Sequence, residues 1–231
     1  MAYGWDESAE AWIASMGESG DFSRACVLDK PMLQRVRLGD FTSALDVGCG
    51  EGRFSRMLRG LGVPTIGIDP TAKLIDEALR HDPDGNYQMG RAEDLRFSND
   101  AFDLVVSYLT LIDIPDAAKA IAEMTRVLKP GGRLLIANLT SFGTAGDGWS
   151  DEPQPRFCID HYLDVRELLS EWDGIRITNW HRPLSYYMRL LLDEGLILRY
   201  FDEPRPYGGK PAVADKYQRV PWLMLMEWEK P

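Results

Sequence analysis

The chain has 231 residues, 45% of them hydrophobic and 27% charged, which is enough for one α/β domain with a sizeable core. Its formal net charge is −10 and it carries no Lys/Arg-rich run, which argues against a partner that is nucleic acid or an anionic membrane surface. Cys26, Cys49 and Cys158 are odd in number, widely spaced and outside any C-x-x-C pair, so neither a zinc nor a redox site is expected and a reduced compartment fits.

The N-terminal stretch "MAYGWDESAEAW" holds acidic residues and lacks the apolar centre of a signal peptide. No apolar stretch approaches the roughly 18 residues of a membrane helix, and the expected location is cytoplasmic. Residues 6–37 read as helical, with Ala9, Trp12, Ile13 and Met16 on one face and an interruption or restart at Pro31. From Ser43 short apolar or β-prone runs follow: 44–47, 64–68, 86–89, 102–107 and 133–138. Helical stretches at 53–60, 71–80 and 116–129 separate them, and "KPGG" (129–132) reads as a stop and turn. Such alternation, with strands apolar on both faces, predicts a doubly wound, mostly parallel sheet. The rhythm breaks at 139–157, which is rich in Gly, Pro and Ser and reads as a loop or lid. Helix-like 162–172 and strand-like 175–180 follow; then helix 184–194, strand 196–202, loop 203–219 and a last apolar run at 220–228. The expected organisation is N-terminal helices (1–40) over the site and an α/β domain (41–231) with an insertion at about 140–181.

Gly48, Gly50 and Gly52 follow the first strand directly, and Asp69 closes the second. Ligands of open α/β sheets sit beyond the carboxyl ends of the strands. An acid about 20 positions after a glycine loop suits two ribose hydroxyls, because a carboxylate only accepts. The ligand is therefore a nucleoside-containing cofactor, either a nicotinamide or flavin dinucleotide or S-adenosylmethionine. The dinucleotide fingerprint needs a third glycine where this chain has Arg53. Glu51 places a negative charge where a pyrophosphate wants donors, and a ligand with ammonium and sulfonium charges fits better.

"ALDVGCGEGRFSRML", "GIDP", "GRAEDLRFSNDAFDLVVS" and "EMTRVLKPGGRLLIA" resemble successive motifs of the class I S-adenosylmethionine-dependent methyltransferases, nearest to the quinone and small-molecule branch. A weaker resemblance extends over "HRPLSYYMRLLLDEGL" (181–196). It implies a Rossmann-like, mostly parallel seven-stranded sheet with a lid inserted after the fifth strand. It also implies S-adenosylmethionine as cofactor and S-adenosylhomocysteine as product. Gly48, Cys49 and Gly50 would line the methionine end, with Asp46 near its ammonium. Arg24 would pair with the methionine carboxylate. Asp69 would bind the ribose, Pro70 would flank the adenine, and Ala92 and Glu93 would lie at the adenine edge. Ser107 and Tyr108 would stand beside the sulfonium. The family often has Gly-Asp-Ala where this chain reads Gly90-Arg91-Ala92, so the acceptor for the adenine amine is displaced, with Glu93 or Asp94 as substitutes.

Methyl transfer is an in-line displacement that needs alignment and dryness, not a metal or a covalent nucleophile. The Asn/Asp-Pro-Pro-aromatic motif of amino-group nucleic-acid methyltransferases is absent after the fourth strand, where the chain reads "SYLTL". Aromatic residues of the N-terminal region, the insertion and the segment after it, with Tyr108, Trp149 and Tyr186 as the named contacts, favour a small, partly apolar or aromatic acceptor. Its O-methylation is preferred over N- or C-methylation. His181, in "WHRPLSYY", is the expected base. A nicotinamide-dependent oxidoreductase and a non-catalytic S-adenosylmethionine-binding regulatory module are the rival readings.

Overall fold

The short apolar runs become one seven-stranded sheet whose central strands are buried on both faces. In β4, Val105 joins the core on one face while Leu104 and Val106 join the core on the other; Leu134 and Ile136 oppose Leu135 and Ala137 in the same way. A computed structural model describes residues 4–17 and 19–231. The helices are α1 (Trp5–Met16), α2 (Asp29–Val36), α3 (Arg53–Gly60), α4 (Ala72–His81), α5 (Ala117–Val127), α6 (Ser141–Thr144), α7 (Leu184–Asp193) and α8 (Pro211–Arg219). The strands are β1 (Ala44–Val47), β2 (Thr65–Asp69), β3 (Asn86–Met89), β4 (Phe102–Tyr108), β5 (Leu128–Leu139), β6 (Gly146–Trp149), β7 (Phe157–Ile159), β8 (Arg166–Trp172), β9 (Ile175–His181), β10 (Ile197–Asp202) and β11 (Leu223–Glu229). The sheet order is β3-β2-β1-β4-β5-β11-β10. Only β11 runs against its neighbours. The doubly wound α/β expectation therefore holds, with α5 and α7 on one face and α2 and α3 on the other. Of the expected N-terminal unit, residues 1–3 and 18 lie outside the described residues.

Three stretches differ from the sequence reading. Residues 166–172 are not helical: β8 pairs antiparallel with β9 from Arg166↔His181 to Trp172↔Ile175. The cause is Asp173-Gly174, whose positive φ values of 43° and 82° make a two-residue hairpin turn. Residues 211–219 form a helix rather than a loop; Pro211 starts it. Within 139–157 the chain makes α6 and β6, and β6 pairs with β7. At Pro31 there is no break. Arg24–Leu28 adopts a π-helical turn and runs into α2; Pro31 has no N–H to give the preceding turn, and the Cys26 carbonyl there accepts instead from the Tyr207 backbone N–H (2.9 Å). Among the described residues no helix is long and apolar enough to cross a membrane.

Candidate active site

The order of strands reverses at β1, which has β2 on one side and β4 on the other. A cleft of about 990 Å³, open mouth included, lies at the carboxyl ends of these strands. Its walls are the loop after β1, the end of β2, Gly90–Glu93, the loop after β4, and Trp5, Trp12 and Arg24 from the N-terminal helices. The loop needs glycine for two separate reasons. A Cβ on Gly48 (φ 74°) would stand 2.1 Å from the Thr110 side chain, so the β1 and β4 loops touch there. Gly50 (φ 55°) would meet nothing within 4 Å, because it faces the open cleft.

The cleft floor is acidic. Asp46, at the core of β1, accepts a hydrogen bond from Ser55 Oγ (2.6 Å) on one oxygen. Its other oxygen is buried with no partner. Burial pushes this carboxyl up to about 7, against the pull of Ser55 and helped by Glu51 and Asp69. Asp69 accepts from the backbone N–H of Thr71 (2.8 Å) on one oxygen and of Gly50 (3.1 Å) on the other. Burial still lifts it to about 6. Burial, and then the charges of Asp46, Asp69 and Glu51, drive the neighbouring Cys49 thiol well above its ordinary value. Glu51 receives the Trp12 indole N–H at 3.4 Å, which ties α1 to the loop.

The opposite wall holds guanidinium–carboxylate pairs. Arg53 donates to both oxygens of Asp29, and Tyr108 donates its hydroxyl to the same carboxylate at 2.8 Å. Tyr108 also packs edge-on against Phe54, with ring centroids 4.8 Å apart. Arg24, in the π-turn, pairs with Asp21 at 2.9 Å and lies 4.8 Å above the Trp12 ring. Leu109, the first residue after β4, has φ 55°. An ordinary side chain there costs about 1–2 kcal/mol, so the turn that aims residues 109–115 at the cleft is held under strain.

Arg24, Asp46, Gly48, Cys49, Gly50, Asp69, Pro70, Ala92, Glu93 and Tyr108 all line this one cleft. Four residues singled out from the sequence do not. Ser107 is fully buried one residue short of it, its Oγ without a partner. Trp149 stands in a separate cavity with Phe142, Phe157 and Arg219, because β6–β7 folds away from the β1–β4 loops. Tyr186 packs instead on the core and near the buried Arg182. His181 is corrected as a base. It is fully buried, its Nε2 donates to the Tyr162 carbonyl (2.9 Å), and its Nδ1 is bonded to Thr144 Oγ1 (2.7 Å). Neither nitrogen is left to take a substrate proton, and burial lowers its affinity for one. Arg53, Trp12, Thr110 and Asp113 are cleft residues that the sequence reading did not assign. For Asp113 a signal existed: it lies five residues past Tyr108, in the loop that follows a strand-ending motif.

A family model described as "Methyltransferase domain" matches residues 45–136. The malonyl-[acyl-carrier protein] O-methyltransferase of Serratia marcescens is 32% identical over 157 residues, covering 65% of this chain and 61% of that protein. The demethylmenaquinone methyltransferase of Renibacterium salmoninarum is 33% identical over 96 residues, covering 42% and 40%. The chain thus spans about 40–60% of the length of these curated relatives. An S-adenosylmethionine-dependent methyltransferase from Mesorhizobium loti superposes with a TM-score of 0.78 at 22% identity, covering 92% of this chain and all of the other, a likeness of fold.

Proposed function

From the match of residues 45–136 to a methyltransferase-domain model we propose that the chain is a class I S-adenosylmethionine-dependent methyltransferase, an enzyme that moves a methyl group from S-adenosylmethionine to a small, partly apolar or aromatic molecule, by preference to its oxygen. The observation that carries the reading is the buried acidic floor under an open glycine. Asp46 keeps one buried oxygen without a partner, and nothing fills the space over Gly50. A buried carboxylate is costly unless a cation or donors reach it. An ammonium group supplies both, so these residues fit the methionine end of the cofactor.

Asp46 then faces the ammonium, and Arg24 offers its guanidinium to the carboxylate beyond its pairing with Asp21. Asp69 uses one lone pair of each oxygen on backbone N–H groups; the other two remain for ribose hydroxyls. Pro70, Ala92 and Glu93 border the adenine, where Glu93 is already engaged by Arg91 at 3.4 Å. When bound, S-adenosylmethionine supplies a methyl carbon activated by a sulfonium. The chain's own task is alignment and dryness. Trp5, Trp12 and Tyr108 wall the cleft with rings that exclude water. In this reading the N-terminal helices, through Trp5, Trp12 and Arg24, cover the site, and the insertion at about 140–181 stands behind the loop after β4. The Serratia relative, named as an O-methyltransferase, supports oxygen as the accepting atom.

Calorimetry tests the assignment. S-adenosylmethionine and S-adenosylhomocysteine should bind, and NAD(H) should not bind comparably. Tight NAD(H) binding without binding of the other two overturns it.

A further inference from the structure

Resting on the methyltransferase reading, we propose that Asp113 is the group that receives the acceptor's proton, that the acceptor is therefore an O–H nucleophile of the phenol or enol type, and that Asn179 and Ser170 are the positioning residues that aim this carboxylate.

The cleft offers several carboxylates, and their partners separate them. Asp29 is consumed by Arg53 and Tyr108, and Glu93 is engaged by Arg91. Glu51 receives Trp12, and Asp69 is held by Gly50 and Thr71 on both oxygens. Asp46 is bonded to Ser55 at the base of the loop. Asp46 keeps a free oxygen, at the core of β1, but the proposed reading gives that oxygen to the ammonium; Asp113 has no such claim on it. Its Oδ1 accepts only from the neutral amide of Asn179, and its Oδ2 has no hydrogen-bond partner among the described residues. It lines the cleft on the loop after β4, between Thr110 and Ile114.

The aim of this carboxylate is fixed by the inserted hairpin. Because a carboxylate only accepts, the Asn179 amide nitrogen faces Asp113, and the Asn179 Oδ1 is then free to accept from the Ser170 hydroxyl of β8 at 2.7 Å. The backbone N–H of Trp180 donates to the Ile112 carbonyl at 2.7 Å. The fully buried Arg182 donates to the carbonyls of Leu111 (3.1 Å), Ile114 (2.5 Å) and Pro115 (2.9 Å). The backbone on both sides of Asp113 is thus held by β9 and the residue after it. An insertion with no residue of its own among the cleft's lining still sets the geometry inside it.

The charged groups facing Asp113 are Arg24 from the π-turn and Asp69 from the end of β2. Burial dominates over both and pushes the carboxyl up to about 8, near the pH at which a base works best. The step balances. The acceptor oxygen's lone pair forms the O–CH₃ bond, and the C–S bond breaks with its electron pair staying on sulfur. The acceptor's O–H proton passes to Asp113 Oδ2. A sulfonium and a carboxylate become a neutral thioether and a carboxylic acid.

The test uses 4-nitrophenol as the probe, bound to the full chain saturated with S-adenosylhomocysteine, and reads the ionisation of the bound phenol by its absorbance. In wild type the bound phenol, the stronger acid of the pair, should pass its proton to Asp113 and so ionise at lower pH than in water. In Asp113→Asn, where no group takes the proton, the ionisation midpoint of the bound probe should rise by about one pH unit and its affinity should fall by about tenfold. Asn179→Ala should move both in the same direction and by less. The affinity for S-adenosylhomocysteine should stay within about twofold in both variants, which also certifies the fold. Failure of S-adenosylhomocysteine to bind wild type strikes the methyltransferase reading instead. Failure of 4-nitrophenol to bind the loaded wild type, or an unchanged midpoint in Asp113→Asn, overturns the proposal.

Discussion

Asp69 shows how one carboxylate serves a loop and a ligand together. Its two oxygens already satisfy the N–H groups of Gly50 and Thr71, which would otherwise be orphaned donors in a closed turn. Asp69→Ala should therefore fail twice. Two hydrogen bonds to a charged group are worth roughly 1.5–3 kcal/mol each and do not add, so affinity for S-adenosylmethionine should drop by about 3 kcal/mol, on the order of a hundredfold. Melting temperature should drop as well, since both backbone donors lose their acceptor. Asp69→Asn keeps one acceptor oxygen but sets an NH₂ group against one backbone N–H. It should retain part of the affinity and part of the stability. The two readouts on the same three proteins separate the roles. A dissociation constant within about threefold of wild type, with stability lost, would make Asp69 a loop anchor and nothing more.

Among the elements, the β8–β9 hairpin and Arg182 have the most to say about how the site is held. Among the described residues Arg182 has no carboxylate partner; its terminal nitrogens donate to carbonyls of the 111–115 loop, and it stacks near Trp180, Tyr186 and Tyr187. Arg182→Leu leaves those carbonyls unsatisfied, at about 1–3 kcal/mol for each that stays buried. The expected result is a loss of several kcal/mol, with hydrogen exchange accelerated at Leu109 and Asp113 and unchanged in the β10–β11 pair. Equal protection of Leu109 and Asp113 in both proteins would show that the clamp does not hold the loop. Neither the hairpin nor the clamp was visible in the sequence. Leu168, Leu169 and Trp172 are spaced as on a helix face, and that spacing outweighed the Asp173-Gly174 dipeptide, a turn signal whose meaning depends on the strands around it. Helix α8 escaped notice for the opposite reason: it has no buried residue, so no apolar stripe marks it. The central strands, by contrast, were legible because burial on both faces leaves an unbroken apolar run. The glycine-loop wall of the cleft was legible too, since it is built from consecutive residues at strand ends. The setting of Asp113 was not, because Asn179, Ser170 and Arg182 reach its loop only through tertiary contacts.

At the scale of the molecule, the cleft is a store of disfavoured charge, and this makes stability and ligand binding depend on pH together. Asp46, Asp69 and Asp113 are raised to about 7, 6 and 8, each chiefly by burial. A carboxyl whose folded value lies above its unfolded value binds more proton in the folded state, so its penalty shrinks as pH falls through the folded value toward the unfolded one. Each such group changes stability by about 1.4 kcal/mol per pH unit within that window. Between pH 8 and pH 6 the three together should stabilise the free protein by about 4 kcal/mol, a rise in melting temperature of about 8 °C or more for a chain of this size. His181 works the other way. Buried neutral, with its proton affinity lowered, it contributes stability that is present above its ordinary value of about 6.5 and lost as pH falls below it. One imidazole opposes three carboxyls, so stability should go on rising below pH 6. It should turn over only where the carboxylates held low by hydrogen bonds, Asp103 and Glu123 among them, withdraw theirs at more acid pH. If the ammonium sits at Asp46 as proposed, saturation with S-adenosylhomocysteine should keep that carboxylate ionised and flatten the slope between pH 8 and 6. The corresponding proton release on binding is measurable as a buffer-dependent enthalpy at pH 7. Asp46→Asn should abolish that release while leaving the contribution of Asp113 to the free protein in place. A melting temperature that stays level or falls from pH 8 to 6, or a slope that the ligand does not change, would mean that the acidic floor is not where the ammonium sits.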